Sequence, residues 1–273
     1  MRGGSHDGRR GPRRPEPGPL LSAGTVLLAA DEPPPFELVN PFGRARVLLV
    51  CDHASNRIPH RLADLGVATD WLARHIAWDP GAARVARGVA QRLDAPLLLG
   101  NYSRLVIDLN RPPASPESIP EASAGVPIPG NLGVSESARD ARVAALFEPY
   151  HRALAQLLDQ RRDRSTQLFS LHSFTPELNG EVRPWHVGVA YGRDSRLADR
   201  VRPALRLYDD LLIGDNQPYG VDDVHDFTLP VHGEGRGLPH VMIEMRQDLL
   251  CTDDDVRRWV ARLAQVCEDA WPN

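Results

Sequence analysis

The 273-residue chain contains no lysine: all 32 of its basic residues are arginine. Without a lysine amine, P-loop phosphate binding and Schiff-base chemistry are both excluded. The three cysteines, Cys51, Cys251 and Cys267, are widely spaced and form no CxxC pair. That argues against a zinc–thiolate site and for a reducing compartment, the cytoplasm. No apolar run approaches the ~20 residues of a membrane-spanning helix. A formal net charge of -4 leaves no electrostatic reason to expect nucleic acid. There is no GxSxG elbow and no HExxH helix. Gly233, Gly235 and Gly237 in HGEGRG fail the GxGxxG spacing and read as a loop, which removes dinucleotide binding.

What is there divides into a lead and a globular body. Residues 1 to about 20 are rich in Gly, Pro and Arg with almost nothing to bury, so residues 1–35 are expected to be poorly ordered and 36–273 to form one domain. The apolar stretch Leu20 to Ala30 after an arginine-rich start has the outline of a signal peptide, but Ser22 to Thr25 interrupts it and the lead is too long and proline-rich.

From Arg46, RVLLVCD reads as a strand buried on both faces. After Pro80, Val85, Val89 and Leu93 mark one stripe of a helix. PLLLG and RLVIDL read as two further strands around the turn-like Gly100-Asn101. Six prolines between Arg111 and Gly133 predict a long loop, read as a lid. Ser135 then caps a long helix with Val143, Leu146, Phe147, Tyr150, Leu154, Leu157 and Leu158 on its core stripe and Arg139, Arg142, Arg152 and Asp159 elsewhere. TQLFSLHS, WHVGVAY and HVMIEM are strands, interleaved with helices near 196–205 and 253–270. This alternation predicts an α/β fold, a mostly parallel sheet with helices on both faces and ligands outside the carboxyl ends of its strands.

Four polar clusters fall at such ends: Asp52-His53, Asp108 to Arg111, His172-Ser173 and Glu244 to Asp248. Buried groups of these types are costly unless paired or bound to a metal. Two histidines from separate strands with nearby carboxylates and no thiolate fit a catalytic zinc site with an open position for water. Arg111 either holds a substrate carboxylate or pairs with an internal acid such as Asp108. Glu244 either shuttles protons or pairs with Arg246, two residues on and on the same strand face.

The motifs CDHASNRIP (51–59), HIAWDPGA (75–82), YSRLVIDLNRP (102–112), SLHSFTP (170–176), PWHVGV (184–189), GDNQPY (214–219), VHGEGRGLPH (231–240) and IEMRQDL (243–249) resemble the N-formylglutamate amidohydrolase family. The resemblance runs from about residue 40 to the C-terminus. It implies a zinc-exopeptidase-like three-layer α/β/α fold with a mixed, mostly parallel sheet, one zinc per chain, and hydrolysis of a small-molecule N-acyl amino acid. DLNR looks like the substrate-binding Asn-Arg of aspartoacylase and zinc carboxypeptidase relatives. Where those relatives carry HxxE, this chain reads His53-Ala54-Ser55-Asn56. The third ligand beside His53 and His172 is therefore expected to be Asp79, with Asp52 and Asn56 as alternatives.

On this reading Glu244 is the acid–base group. Arg104, Asn110 and Arg111 bind the substrate carboxylate with help from Arg246. His186, His232 and His240 are further hydrogen-bonding candidates, the first two assigned to substrate binding. His75 is a supporting residue, while His6, His60, His151 and His225 are placed on solvated segments outside the site. A deacylase or peptidase for a larger N-acyl substrate and a non-catalytic carboxylate binder are the rival readings. The assembly is expected to be a monomer or small homo-oligomer.

Overall fold

The computed structural model describes residues 26–271. Most of the lead, including the part of the apolar Leu20–Ala30 stretch before Val26, thus lies outside the described residues. Residues 26–35, expected to be poorly ordered, instead pack on the body. Leu27 is buried, the Glu32 carboxylate accepts from the N–H groups of Ala29 and His60, and the Tyr102 hydroxyl donates to Pro33 O at 2.7 Å.

Seven strands form one sheet: β1 (Phe36–Val39), β2 (Val47–Cys51), β3 (Leu97–Gly100), β4 (Gln167–Phe174), β5 (Val187–Ala190), β6 (Ile213–Asp215) and β7 (His240–Arg246). Their order is β1-β3-β2-β4-β7-β5-β6. The centre, β3-β2-β4-β7, is parallel, while β1 on β3 and β5 on β7 are antiparallel. The main helices are α1 (Ala82–Leu93), α2 (Glu136–Arg142), α3 (Glu148–Asp159), α4 (Ala198–Leu205), α5 (Thr228–His232) and α6 (Asp253–Asp269).

Because side chains alternate along a strand, each central strand feeds two cores. Val47, Leu49 and Cys51 join Phe169, Leu171, Val241 and Ile243 under α1, α4 and α6. Leu48 and Val50 join Leu168, Met242 and the residues of α3 and α5 on the other face. The expected three-layer α/β/α arrangement is present.

Three local readings are corrected. RLVIDL is buried but is not a strand: residues 101–111 run as successive turns. The continuous apolar run reported burial, and burial does not require a ladder when side chains satisfy the backbone. Here Asn131 Nδ2 donates to Leu105 O and Arg142 to Val106 O, each within 2.9 Å. Arg142 is therefore buried rather than on the solvent face. The long helix starts at the Ser135 cap as expected, but is broken by a π-helical turn at Val143–Phe147 before α3. Pro149 lacks the N–H a regular ladder would need there. Lastly, no residue between 112 and 133 lines the main cavity, so the proline-rich loop is not a lid over it. Short 3-10 turns and a two-stranded hairpin fold it down, with Ile119, Ile128 and Asn131 buried.

Candidate metal centre and cavity

Parity and register assemble the site. Leu48, Val50 and Asp52 point to one face of β2 and its extension, as do Leu168, Ser170 and His172 on β4 and Met242 and Glu244 on β7. Glu244 stands opposite His172 in the parallel pairing. Asp52, His172 and Glu244 lie toward the carboxyl ends of these strands, and His172 and Glu244 line a cavity of about 420 Å³. Asp79 arrives from the turn before α1, with its N–H bonded to His53 O and its Oδ2 accepting from Ser173 N–H.

His53, Asp79 and His172 are all buried, and one donor atom from each lies within 4.8 Å of the others. His172 Nδ1 is 2.8 Å and His53 Nδ1 3.5 Å from Asp79 Oδ2. The far nitrogen of each ring is backed by another carboxylate: His53 Nε2 lies 2.7 Å from Asp108, and His172 Nε2 lies 3.2 Å from Asp52. Asp52 is itself held by the hydroxyls of Tyr150 and Thr228. Asp108 also accepts from the Arg104 guanidinium at 2.9 Å.

A carboxylate behind each imidazole sets which nitrogen faces the centre and strengthens it as a donor, the usual second contact of a metal-binding histidine. The donor set passes a further test: His53 Nδ1 is buried with no hydrogen-bond partner among the described residues, and two nitrogens with one carboxylate suit a catalytic metal. Asp52, by contrast, supports His172 from behind, and exposed Asn56 donates to Leu72 O away from the centre.

The electrostatics are those of a dense charge cluster. Burial works to raise the carboxyls of Asp52, Asp79 and Asp108, but the two histidines, and for Asp108 also Arg104, outweigh it. Asp52 is held at about 2, and Asp79 and Asp108 are likewise held well below the ordinary carboxylate range. Burial and Arg104 lower His53, yet Asp108 and Asp79 raise it overall, and Asp52 and Asp79 raise His172 well above its ordinary value. Glu244 behaves oppositely: burial, only partly offset by His172, pushes its carboxyl up to about 7. Its Oε2 has no hydrogen-bond partner among the described residues. On the neighbouring strand Gly188 faces Glu244, where a Cβ would sit 2.3 Å from Gln217 O. The turn bearing Pro218 and Tyr219 therefore lies directly on the sheet.

Arg104, Asn110 and Arg111 line the cavity as expected. Arg111 pairs with Asp226 and with the carbonyl of His225, not with Asp108. The Asn110 side chain donates to Asp226 and accepts from the N–H groups of Phe227 and Thr228, and so holds that loop.

Arg246, His186 and His232 do not line the cavity. The Arg246 guanidinium turns at the strand end to Asp248 and Pro184 O. His186 Nδ1 accepts from Leu212 N–H. His232 stacks on His151 with centroids 5.2 Å apart. His240 begins β7, at the opposite end from Glu244. His60 is exposed as expected, but His151 is buried, not solvated. Exposed His225 lines the cavity while paired with Asp222. His75 also lines it, from a turn rather than from a helix shared with Asp79.

Asp226 and Tyr219, which sequence reasoning did not single out, belong to the walls as well. The NQPY turn before Tyr219 was the only signal for it.

Among the described residues no helix is long and apolar enough to cross a membrane. Comparison with curated proteins finds no match. Among solved structures, a gene product of Agrobacterium tumefaciens shares 36% identity and superposes with a TM-score of 0.86, over 89% of this chain and 97% of that one. N-formylglutamate amidohydrolase from Ralstonia eutropha JMP134 shares 18% identity and the fold, at a TM-score of 0.59 over 85% of this chain and 95% of that one. The N-formylglutamate amidohydrolase family profile matches residues 45–251. The chain thus belongs to the N-formylglutamate amidohydrolase family, a family of hydrolases of non-peptide amide bonds.

Proposed function

We propose that the protein is a zinc-dependent amidohydrolase that cleaves the amide of an N-acyl amino acid carrying a free carboxylate, N-formylglutamate being the type substrate. The observation that carries this reading is the partnerless His53 Nδ1, facing the same point as His172 Nδ1 and Asp79 Oδ2. His53, Asp79 and His172 are the residues that would hold the ion. Zinc bound there would polarise the acyl carbonyl and acidify water.

Glu244 then takes the proton of the attacking water and returns it to the departing amine. A carboxyl raised to about 7 is close to the operating pH, where such transfer in both directions is most efficient. Arg104 holds the substrate carboxylate. Its Nε and one Nη2 N–H go to Asp108 and one Nη1 N–H to Asp79, which fixes its position and leaves one N–H on each Nη for the substrate without a rotamer search. Arg111 and Asn110 keep the 225–228 loop in place as the facing wall.

Purified protein should contain about one zinc per chain, and the zinc-loaded enzyme should release free amine from N-formyl or N-acetyl amino acids. Full activity in metal-stripped protein would overturn the assignment. The cavity of about 420 Å³ also has room for a longer acyl group, so the screen should extend to longer N-acyl amino acids.

A further inference from the structure

Arg183 and Tyr219 form a polar pair that the reaction above leaves unused, Tyr219 on the wall of this cavity and Arg183 beside it. Tyr219 lines the cavity. Arg183 donates to its hydroxyl at 2.7 Å, and the guanidinium lies 4.8 Å from the ring centroid. The two come from separate segments. Arg183 leaves the short hairpin of Glu177–Leu178 and Glu181–Val182, pinned by its N–H to Pro176 O. Tyr219 ends the turn that Gly188 allows onto the sheet.

The cations of the site differ in how far their charge is already met. Arg104 is compensated by Asp79 and Asp108, and Arg111 by Asp226. Arg183 is half-buried with a neutral phenol as its hydrogen-bond partner and no carboxylate within 4 Å among the described residues. Its field nevertheless reaches inward. Burial lowers the His75 imidazole and Arg104 and Arg183 lower it further. The Tyr219 phenol, raised by burial and by Glu244, is pulled back by Arg183 and Arg104.

Tyr219, on the cavity wall, therefore adjoins a guanidinium that no carboxylate within 4 Å neutralises among the described residues. Such a group gains most from a carboxylate, which accepts two parallel charge-assisted hydrogen bonds.

We infer that Arg183, oriented by Tyr219, is a specificity-determining residue that receives a second carboxylate, on the substrate's amino-acid side chain. Arg104 holds the carboxylate beside the scissile amide. This inference rests on the amidohydrolase reading.

The test compares two substrates differing only in that charge, an N-acyl glutamate and the matching N-acyl glutamine, in kcat/KM and in calorimetric Kd. Wild type prefers the glutamate form. Arg183→Gln lowers the glutamate-to-glutamine ratio about 10- to 100-fold, carried by KM rather than kcat, since a hydrogen-bonded charge is being removed. Arg183→Lys recovers part of the preference and Arg183→Glu inverts it.

A ratio that stays the same in Arg183→Gln, with the variant folded by circular dichroism, overturns the inference. So does an equal loss for both substrates. If neither compound is hydrolysed by wild type, the amidohydrolase reading fails instead, and the ratio of the two Kd values still decides whether Arg183 reads the side-chain charge.

Discussion

The protein holds two pairs of buried histidines at similar spacing, His53 with His172 at 4.9 Å between ring centroids and His151 with His232 at 5.2 Å. The first pair is edge-to-face and ringed by Asp52, Asp79 and Asp108, which raise both imidazoles. The second is stacked within 6°. One ring packs on Phe147 and Phe227, and the hydrogen bonds of the pair run to each other and to Leu109 O. There burial lowers His151 to about 4 and His232 to about 3. Histidine is equally at home in both settings. The carboxylates, not the imidazoles, separate a candidate metal centre from a structural joint between α3 and α5.

That contrast can be broken or sharpened by experiment. The largest effect should come from Glu244→Gln, which removes the proton shuttle and should lower kcat by about 10²- to 10⁴-fold with zinc content unchanged. His232→Gln should leave kcat within about twofold, and a comparable collapse would place the second pair in the chemistry.

Next is acid sensitivity. Imidazoles whose folded pKa lies below the unfolded 6.5 stabilise fully above pH 6.5, and that contribution is lost as pH falls toward 4. Urea unfolding of wild type against His232→Gln should show a steeper acid loss in wild type, the His232 share being on the order of 3 kcal/mol by pH 4, while the His151 share is common to both proteins. Raised Glu244 pulls stability the other way between pH 4.5 and 7, so the difference between the two proteins is the readout. Equal pH slopes would mean that His232 does not titrate on unfolding.

Smaller again, Asp108→Asn or Asp52→Asn should weaken zinc about 10- to 100-fold in chelator competition by removing the carboxylate behind a ligand; unaltered affinity would demote both to structural acids. The least effect belongs to Ser135→Ala, which uncaps the helical run leading to His151 and should cost about 1 kcal/mol in thermal melts, leaving metal affinity untouched.

The sequence carried the sheet well wherever burial and ladder coincide, as in RVLLVCD, TQLFSLHS and HVMIEM. It failed at RLVIDL, because an apolar run looks the same whether its carbonyls are met by a strand or by distant Asn131 and Arg142. The residues at strand ends, His53, His172 and Glu244, were legible because position alone makes a polar group there costly. What Asp52 and Asp108 do was not, since a carboxylate behind an imidazole is set by the packing of separate strands and turns and leaves no spacing in the chain. Arg246, His186 and His232 were misplaced for the converse reason: each found a nearby backbone or side-chain partner that a one-dimensional reading cannot see. His151 shows the same limit, since a helical position alone does not say which neighbour will roof it over.

Gly188 has a consequence for how this enzyme could be reshaped. With no side chain at that point the 217–219 turn rests directly on β5, and any larger residue there would meet Gln217 O and push away the turn that carries Tyr219. Diversification of ligand preference is thereby channelled away from the sheet and onto the pieces that stand above it, the Tyr219 ring and the hairpin that delivers Arg183. A library confined to those few positions would explore most of the accessible substrate range while leaving the reacting groups on their fixed floor.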